Sequence, residues 1–317
     1  CFSFSFQFIK LVVEVIGMII TILSAIALLI LAFAYTVTLE GIARKIEARI
    51  HRRCGPPFWQ NFIDIFKSLT KHSISHGFIF DFGVLMALGG TIATVLFIPA
   101  GNLVVFPGLD NVFVIIYLLA IGLLGMAMSA VGSGNPNASI GIGRALTQML
   151  GYELPFMIVL LGVFFHFRTS SLSELAILQN SGGTYNVLIM PIGAVVGFVS
   201  LMGMLGKKPF DTFIAPAEIA SGPLVEYSGK YLGLLMTQHA FGTFIEIGLF
   251  VNLFLGGGKT IWEFLLKFFL VYFLAIIISS IMPRFRVEQA VKFYWKWPLI
   301  LSFIQVVIVV FIMGRRV

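Results

Sequence analysis

Six ionisable side chains set the chemistry open to this sequence. Asp211, Glu218 and Glu226 fall within residues 207–230, KKPFDTFIAPAEIASGPLVEYSGK, a polar stretch between two long apolar runs. Glu153, His239 and Glu246 stand inside apolar runs themselves. A charge at the centre of a bilayer costs roughly 2.5–3.5 kcal/mol on insertion scales, so such groups normally face a bundle interior and mark ion or proton paths. Burial pushes a carboxyl's pKa up and a neighbouring cation pulls it back down. A group balanced in this way exchanges a proton near neutral pH when its surroundings move. That is the requirement of a proton relay driven by redox or conformational change. Glu14 and Lys267 also lie near the ends of apolar runs, where a side chain can reach the interface.

Other patterns carry less chemistry. His72 and His76 stand at i, i+4, a spacing that can share a metal, but no third ligand is in view, and a polar helix end near the membrane surface explains them. Gly132, Gly134, Gly141 and Gly143 lack the Lys-Ser/Thr ending of a phosphate loop. Cys1 and Cys54 cannot by themselves build an iron–sulfur or structural zinc site. Cys54 sits among Arg52, Arg53 and Gly55, where a thiolate could be favoured, although a small filler residue is the better account of it. The chain opens CFSFSFQFIK, without an initiator Met or a signal-peptide pattern, so a few residues are expected to precede it.

The elements that must position these groups follow from composition. Of 317 residues, 59% are hydrophobic and only 11% charged, against about a quarter charged in soluble domains. An integral membrane protein is required. Apolar runs of spanning length, about 20 residues, fall at eight places, roughly 11–39, 78–98, 111–132, 148–166, 186–206, 231–255, 261–281 and 294–313. The runs are continuous rather than alternating, so helices and not a barrel satisfy the backbone. The predicted fold is all-α: one polytopic domain over 1–317, with about eight transmembrane helices. Pro155 and Pro191 inside spans allow kinks.

Eight spans place both termini on one side. The loops 40–77, 133–147, 207–230 and 282–293 hold 14 of the 21 Lys and Arg residues, and the opposite side with the termini holds 5. Positive charge marks the cytoplasmic face. The expectation is therefore a multi-pass protein of the cell membrane with both termini outside. The net charge of +7 reports topology and not nucleic-acid binding.

The loop 40–77 is long and basic. Arg44, Lys45, Arg49, Arg52 and Arg53 run through Ile42, Ile46 and Ile50, and Gly55-Pro56-Pro57 stops the pattern. Phe58, Phe62, Ile63, Phe66 and Leu69 then repeat at helical period beside Gln60, Asp64 and Lys67. Amphipathic loop helices lying on anionic lipid fit this pattern. So does a docking surface for a soluble partner, which the length favours. The stretch 207–230 exceeds the usual length of a structureless loop, and its apolar residues, Phe210, Phe213, Ile219, Leu224 and Tyr227 among them, argue against disorder.

With these motifs in order, the chain resembles the H-type, first mitochondrially encoded membrane subunit of complex I, and its homologues in energy-converting membrane-bound NiFe hydrogenases and sulfane-sulfur reductases. The resemblance covers nearly the whole chain. Ala43-Arg44-Lys45 to Arg53-Cys54-Gly55-Pro56 is similar to the family's E-R-K…R-x-G-P, and Gln60, Asp64 and Lys67 to its Q-x-x-x-D-x-x-K. Arg144, Gln148, Tyr152 and Glu153 match R-x-x-x-Q…Y-E. Pro209-Phe210-Asp211 and Glu226-Tyr227-Ser228-Gly229 match P-F-D…E-Y-S-G. Pro283-Arg284, Arg286, Gln289 and Trp295-Lys296 match the last cytoplasmic loop.

There are departures. Ala43 replaces a Glu, Ile214 and Pro216 stand at two acidic positions where only Glu218 remains, and His239 replaces another Glu while Glu246 is an extra carboxylate. The thinned acidic chain and the run Gly222-Pro223-Leu224 point to the hydrogenase-type branch.

The resemblance implies a subunit with no redox centre of its own, hence no complete active site on this chain. Iron–sulfur clusters and a NiFe centre would sit on partners: a NiFe-hydrogenase-like large subunit and an iron–sulfur subunit, docked on Arg44, Lys45, Arg49, Arg52, Arg53, Gln60, Asp64 and Lys67. Asp211, Glu218 and Glu226 would start a relay through Glu153, His239 and Glu246 toward antiporter-like membrane subunits, moving protons or sodium. Arg144, Arg284 and Arg286 would tune those carboxylates or hold phospholipid. A quinone-reducing complex I-type subunit is the alternative, and a self-sufficient secondary transporter the alternative of another class.

Overall fold

The computed structural model describes residues 2–213 and 216–314; Ile214 and the side chains of residues 2–14, 216–217 and 312–314, Glu14 and Pro216 among them, lie outside the described part. Twelve α-helices account for most of it. They are α1 (Phe2–Ile50), α2 (Gln60–Leu69), α3 (Phe78–Val95), α4 (Val112–Gly132), α5 (Pro136–Phe167), α6 (Leu172–Gly182), α7 (Asn186–Ile189), α8 (Pro191–Met204), α9 (Pro216–Ile219), α10 (Gly229–Phe254), α11 (Ile261–Ile281) and α12 (Val287–Gly314), with a 3-10 turn at Gly222–Leu224. Among the described residues there is no strand beyond two isolated bridges. The all-α, polytopic expectation is met.

Seven of these helices are long and apolar enough to cross a membrane, one fewer than the eight runs counted in sequence. The fifth run, 186–206, is divided at Met190, where φ −127° and ψ 64° leave the helical region ahead of Pro191. Its main piece, α8, has 14 residues. Even so, the run spans the bundle. At one end Asn186 Nδ2 donates to Leu253 O near the close of α10 (2.7 Å), and at the other Gln148 Nε2 of α5 donates to Gly203 O (3.2 Å).

Two further boundaries differ. The first span and the basic helix expected after residue 40 are one helix, α1, which continues to Ile50. No residue near 40 breaks it, and its buried face passes through Thr36, Leu39 and Ala43 at helical spacing. The expected loop 133–147 is almost entirely helix, because Asn135 accepts a hydrogen bond from Asn137 N and Pro136 opens α5. Arg144 and Gln148 are therefore helical. The amphipathic α2 forms as expected, and α6, capped by Ser171 and by Asp110 beneath it (Ser173 N to Asp110 Oδ2, 2.5 Å), was not foreseen.

The core is built around α10, the most buried of the long helices. Phe244 of α10 stacks on Phe268 of α11 at 5.6 Å between ring centroids, with Phe264 beside them, all three fully buried. The α3–α4 pair uses small residues instead. A Cβ at Gly125 would lie 2.7 Å from Ala87 Cα and one at Gly83 2.8 Å from Gly125 O, so only glycine allows the close backbone approach typical of packing in lipid.

Candidate functional site

A cavity of about 260 Å³ lies among α1, α2, α4, α5, α8 and α10, roofed by Phe213 and Leu224 of the 207–228 segment. Much of its wall is Leu and Met, including Met126, Met149, Met204 and Met236. Its polar wall carries Glu40, Arg44, Asn61, Gln148, Tyr152, Glu153, Gln238, His239 and Glu246. Three of these helices, α1, α5 and α10, bring four proton-exchanging groups, Glu40, Glu153, His239 and Glu246, to one chamber. His239 lies deep in the bundle yet keeps 49% of its side-chain surface accessible, because it stands on the chamber wall.

The chamber gathers three of the six expected relay residues. The other three, all on 207–228, are held on its rim by separate partners. Arg284 Nη2 donates to Asp211 Oδ2 (2.6 Å), and Phe285 N donates to Pro209 O (2.9 Å), tying the start of the segment to the connection before α12. Phe210 adds ring contacts to Phe285, Phe293 and Tyr294. Arg144 Nη1 of α5 donates to Glu218 Oε2 (2.7 Å). Asn135 Nδ2 donates to Glu226 Oε1 (2.6 Å), and His76 Nε2 lies 3.4 Å from the other oxygen. His76 therefore serves Glu226 and packs edge-on to Phe80. Arg286 contributes a backbone N–H to Gln289 Oε1.

One residue joins rim to chamber. Gln148, 2% exposed, accepts a hydrogen bond from the Thr212 hydroxyl and donates to Gly203 O at the end of α8. Thr212 is the chain neighbour of Asp211, so this bond links the start of the segment to the chamber wall. Farther along the segment, the Tyr227 hydroxyl bonds Ser129 of α4. Burial raises the Tyr227 phenol above its ordinary range, outweighing the lowering by that bond.

The residues expected to dock a soluble arm divide in two. Lys45, Arg49, Arg52, Arg53 and Lys67 are exposed. Arg44 is exposed too but engages α2: Gln60 Nε2 donates to Asp64 Oδ1 (2.9 Å), and Arg44 Nη1 reaches Asp64 Oδ2 at 3.4 Å. Beside Arg44 on the chamber wall is Glu40, which sequence reading placed at the first position of a loop. Continuation of α1 turns it inward, and side-chain accessibility falls to 18%. Asn61, buried on α2, was missed for the same reason: its role depends on what the helix faces. Among the described residues, no group of three or more His, Cys, Asp and Glu side chains is placed to hold a metal.

A bundle of membrane-length helices enclosing a chamber lined by ionisable groups, beside a polar segment held by Arg284 and Arg144, defines a polytopic membrane protein. The chain belongs to the NADH dehydrogenase family, which it matches over residues 20–310. It is similar to the H-type subunit of F420H2 dehydrogenase from Methanosarcina mazei, at 30% identity over 82% of this chain and 84% of the relative. It is similar to hydrogenase-4 component C of Escherichia coli, at 30% identity over 84% of this chain and 89% of the relative. Among solved structures it resembles a chain of the membrane-bound sulfane sulfur reductase, an archaeal respiratory membrane complex. The TM-score is 0.88 and the identity 38%, covering 91% of this chain and 99% of that one. The relatives are subunits of membrane-bound respiratory-type complexes, and this chain is a multi-pass membrane subunit of that kind.

Proposed function

We propose that this subunit couples electron transfer in a docked soluble arm, of the ferredoxin-linked NiFe hydrogenase or sulfane-reductase type, to translocation of protons or sodium through its buried ionisable groups. The observation that carries the proposal is the convergence of Glu153, His239 and Glu246 on one chamber, beneath a segment whose own carboxylates are each held by a cation or an amide. Reduction or protonation next to that segment changes the balance of charge at Asp211, Glu218 and Glu226. Strain at Asp211 passes through Thr212 and Gln148 to the chamber wall, and protons redistribute among the groups inside. Antiporter-like membrane subunits alongside receive the change and move ions.

In this reading Lys45, Arg49, Arg52, Arg53 and Lys67 meet a NiFe-hydrogenase-like large subunit or an iron–sulfur subunit on the cytoplasmic side, and both termini of the chain lie outside. Iron–sulfur clusters and the NiFe centre belong to those partners. Arg144 and Arg284 act as charge-tuning groups on Glu218 and Asp211, and phospholipid fits the remaining basic surface.

Gentle purification of the whole assembly tests the branch. Nickel and iron should co-purify with antiporter-like subunits, and hydrogen should evolve from reduced ferredoxin; iron without nickel points to the sulfane-reductase or the quinone-reducing type, which a quinone-reduction assay separates. In vesicles of the assembled complex, Glu153→Gln should lower ions moved per electron while the soluble redox chemistry continues. A lone polypeptide without metal, or full pumping by Glu153→Gln and Glu226→Gln alike, overturns the proposal.

A further inference from the structure

Glu40 and His239 face each other across the wall of the chamber, Oε1 to Nε2 at 3.8 Å. Glu40 Oε1 is buried without a hydrogen-bond partner, and its other oxygen has only Asn61 Nδ2 at 3.4 Å. A buried carboxylate oxygen left unbonded is costly, since a lost hydrogen bond to a charged group removes more than a neutral one does. It is tolerated where a partner arrives in another protonation state. The gap of 3.8 Å exceeds a hydrogen bond and closes to one by a small rotation of either side chain once a proton lies between them.

We propose that Glu40 and His239 form a proton-loading pair, and that Glu40 is a further residue of the ion path, on the side toward the docked arm. The proposal rests on the coupling function above and adds its inlet. Three features support this place in the path. Glu40 is on α1, one turn before Arg44 and Lys45 and continuous with the exposed basic end of that helix. His239 is on α10, the same helix as Glu246, seven residues and thus about 10.5 Å along the axis from it. The chamber between them has room for several waters, with Gln238, Tyr152 and Glu153 to bond them.

The transfer itself is a proton exchange with no electron change. The imidazolium N–H bond of His239 breaks as an O–H bond forms on Glu40, or the reverse, and water in the chamber carries the proton onward to Glu246. The charged groups that face the pair are Arg44 from α1, Asp64 behind it on α2, Glu153 from α5 and Glu246 from α10. Lys207, after α8, acts electrostatically on both His239 and Glu246. On α11 the Tyr272 hydroxyl, buried and without a hydrogen-bond partner, is the remaining polar group within reach of the Glu40 charge.

The test uses the assembled complex in sealed vesicles, reading ions moved per electron and the redox turnover of the soluble arm separately. Glu40→Gln should lower the ion-to-electron ratio about tenfold or more, the scale of losing a positioned proton-transfer group. Redox turnover should stay within about twofold of the parent. Groups acting as a unit are non-additive, so Glu40→Gln with His239→Gln should be no worse than either alone. Glu40→Asp keeps the acid and should keep transport, with the midpoint of its pH profile shifted; a packing role would leave that midpoint unmoved.

If Glu40→Gln does not assemble, His239→Gln and Glu40→Asp carry the same two readouts. Wild-type ratios in Glu40→Gln and His239→Gln alongside an uncoupled Glu246→Gln overturn the pair and leave the coupling function standing. Wild-type ratios in Glu246→Gln and Glu153→Gln as well overturn the coupling function itself. An unshifted midpoint in Glu40→Asp also overturns the pair.

Discussion

Arg284 holds Asp211 at 2.6 Å, with 23% and 18% of the two side chains accessible, and so pins the segment after α8 to the connection before α12. Exposed ion pairs contribute about 0–1 kcal/mol, whereas removing one partner of a buried pair costs about 3–5 kcal/mol because the other charge is stranded. This pair lies between those limits. Arg284→Ala should therefore destabilise the segment by about 1–3 kcal/mol. Limited proteolysis within 207–228 of the assembled complex should speed up, and an unchanged cleavage rate would show that the segment's other contacts hold it without this ion pair.

Glu226 offers a cleaner separation of charge from structure. Glu226→Gln keeps an oxygen to accept from Asn135 Nδ2 but removes the negative charge 3.4 Å from His76. Assembly should survive while ions moved per electron fall. Transport into vesicles, scored against redox turnover of the same preparation, checks both halves of that expectation.

The sequence made the bundle readable because lipid leaves a helical backbone few alternatives. It also singled out Glu153, His239 and Glu246, since ionisable groups inside apolar runs have few structural reasons to be there. It could not show that these three share a chamber and that Asp211, Glu218 and Glu226 do not line it. That division depends on Arg284, Arg144 and Asn135, each tens of residues away in the chain. Glu40 escaped notice because hydropathy falls at residue 40 while the helix does not end there; the heptad of buried positions through Thr36, Leu39 and Ala43 was the signal that could have found it. Pro191 was visible as a kink, but its effect, a break at Met190 that leaves a short α8, depends on a backbone geometry that hydropathy does not report.

Two glycines two residues apart on α5 should respond oppositely to alanine. A Cβ at Gly141 would meet Pro223 Cδ at 2.5 Å and Gly222 Cα at 2.9 Å, where the 3-10 turn rests on the helix. At Gly143 there is nothing within 4 Å. Gly141→Ala should push the turn off α5 at a cost of about 1–3 kcal/mol, and hydrogen exchange at 222–228 should rise. Gly143→Ala should leave exchange there unchanged, with a small gain in stability from helix propensity. Equal behaviour of the two variants would mean that the turn is not seated on Gly141.

Lys267 tests the claim that buried charge in this fold has two distinct uses. Read from sequence, it is a lysine near the end of an apolar run. In the fold its ammonium donates to Leu255 O (2.8 Å), pairs with Glu263 Oε1 (2.7 Å) and lies 4.6 Å from the centre of the Tyr185 ring. Two oxygen partners and the ring face hold the ammonium, which caps the carbonyl end of α10. Leu255 is nine residues beyond Glu246, about 13 Å along the helix and away from the chamber. Lys267→Met keeps the aliphatic stem but leaves the Leu255 carbonyl without its ammonium donor and Glu263 with only the Lys259 N–H, which should cost about 1–3 kcal/mol. The melting temperature of the solubilised complex should fall, while the complexes that remain assembled should move as many ions per electron as the parent. Glu246→Gln should do the reverse, keeping the melting temperature and losing transport. If Lys267→Met uncouples transport without lowering the melting temperature, the ammonium belongs to the ion path, and the path runs the full length of α10 instead of ending at the chamber.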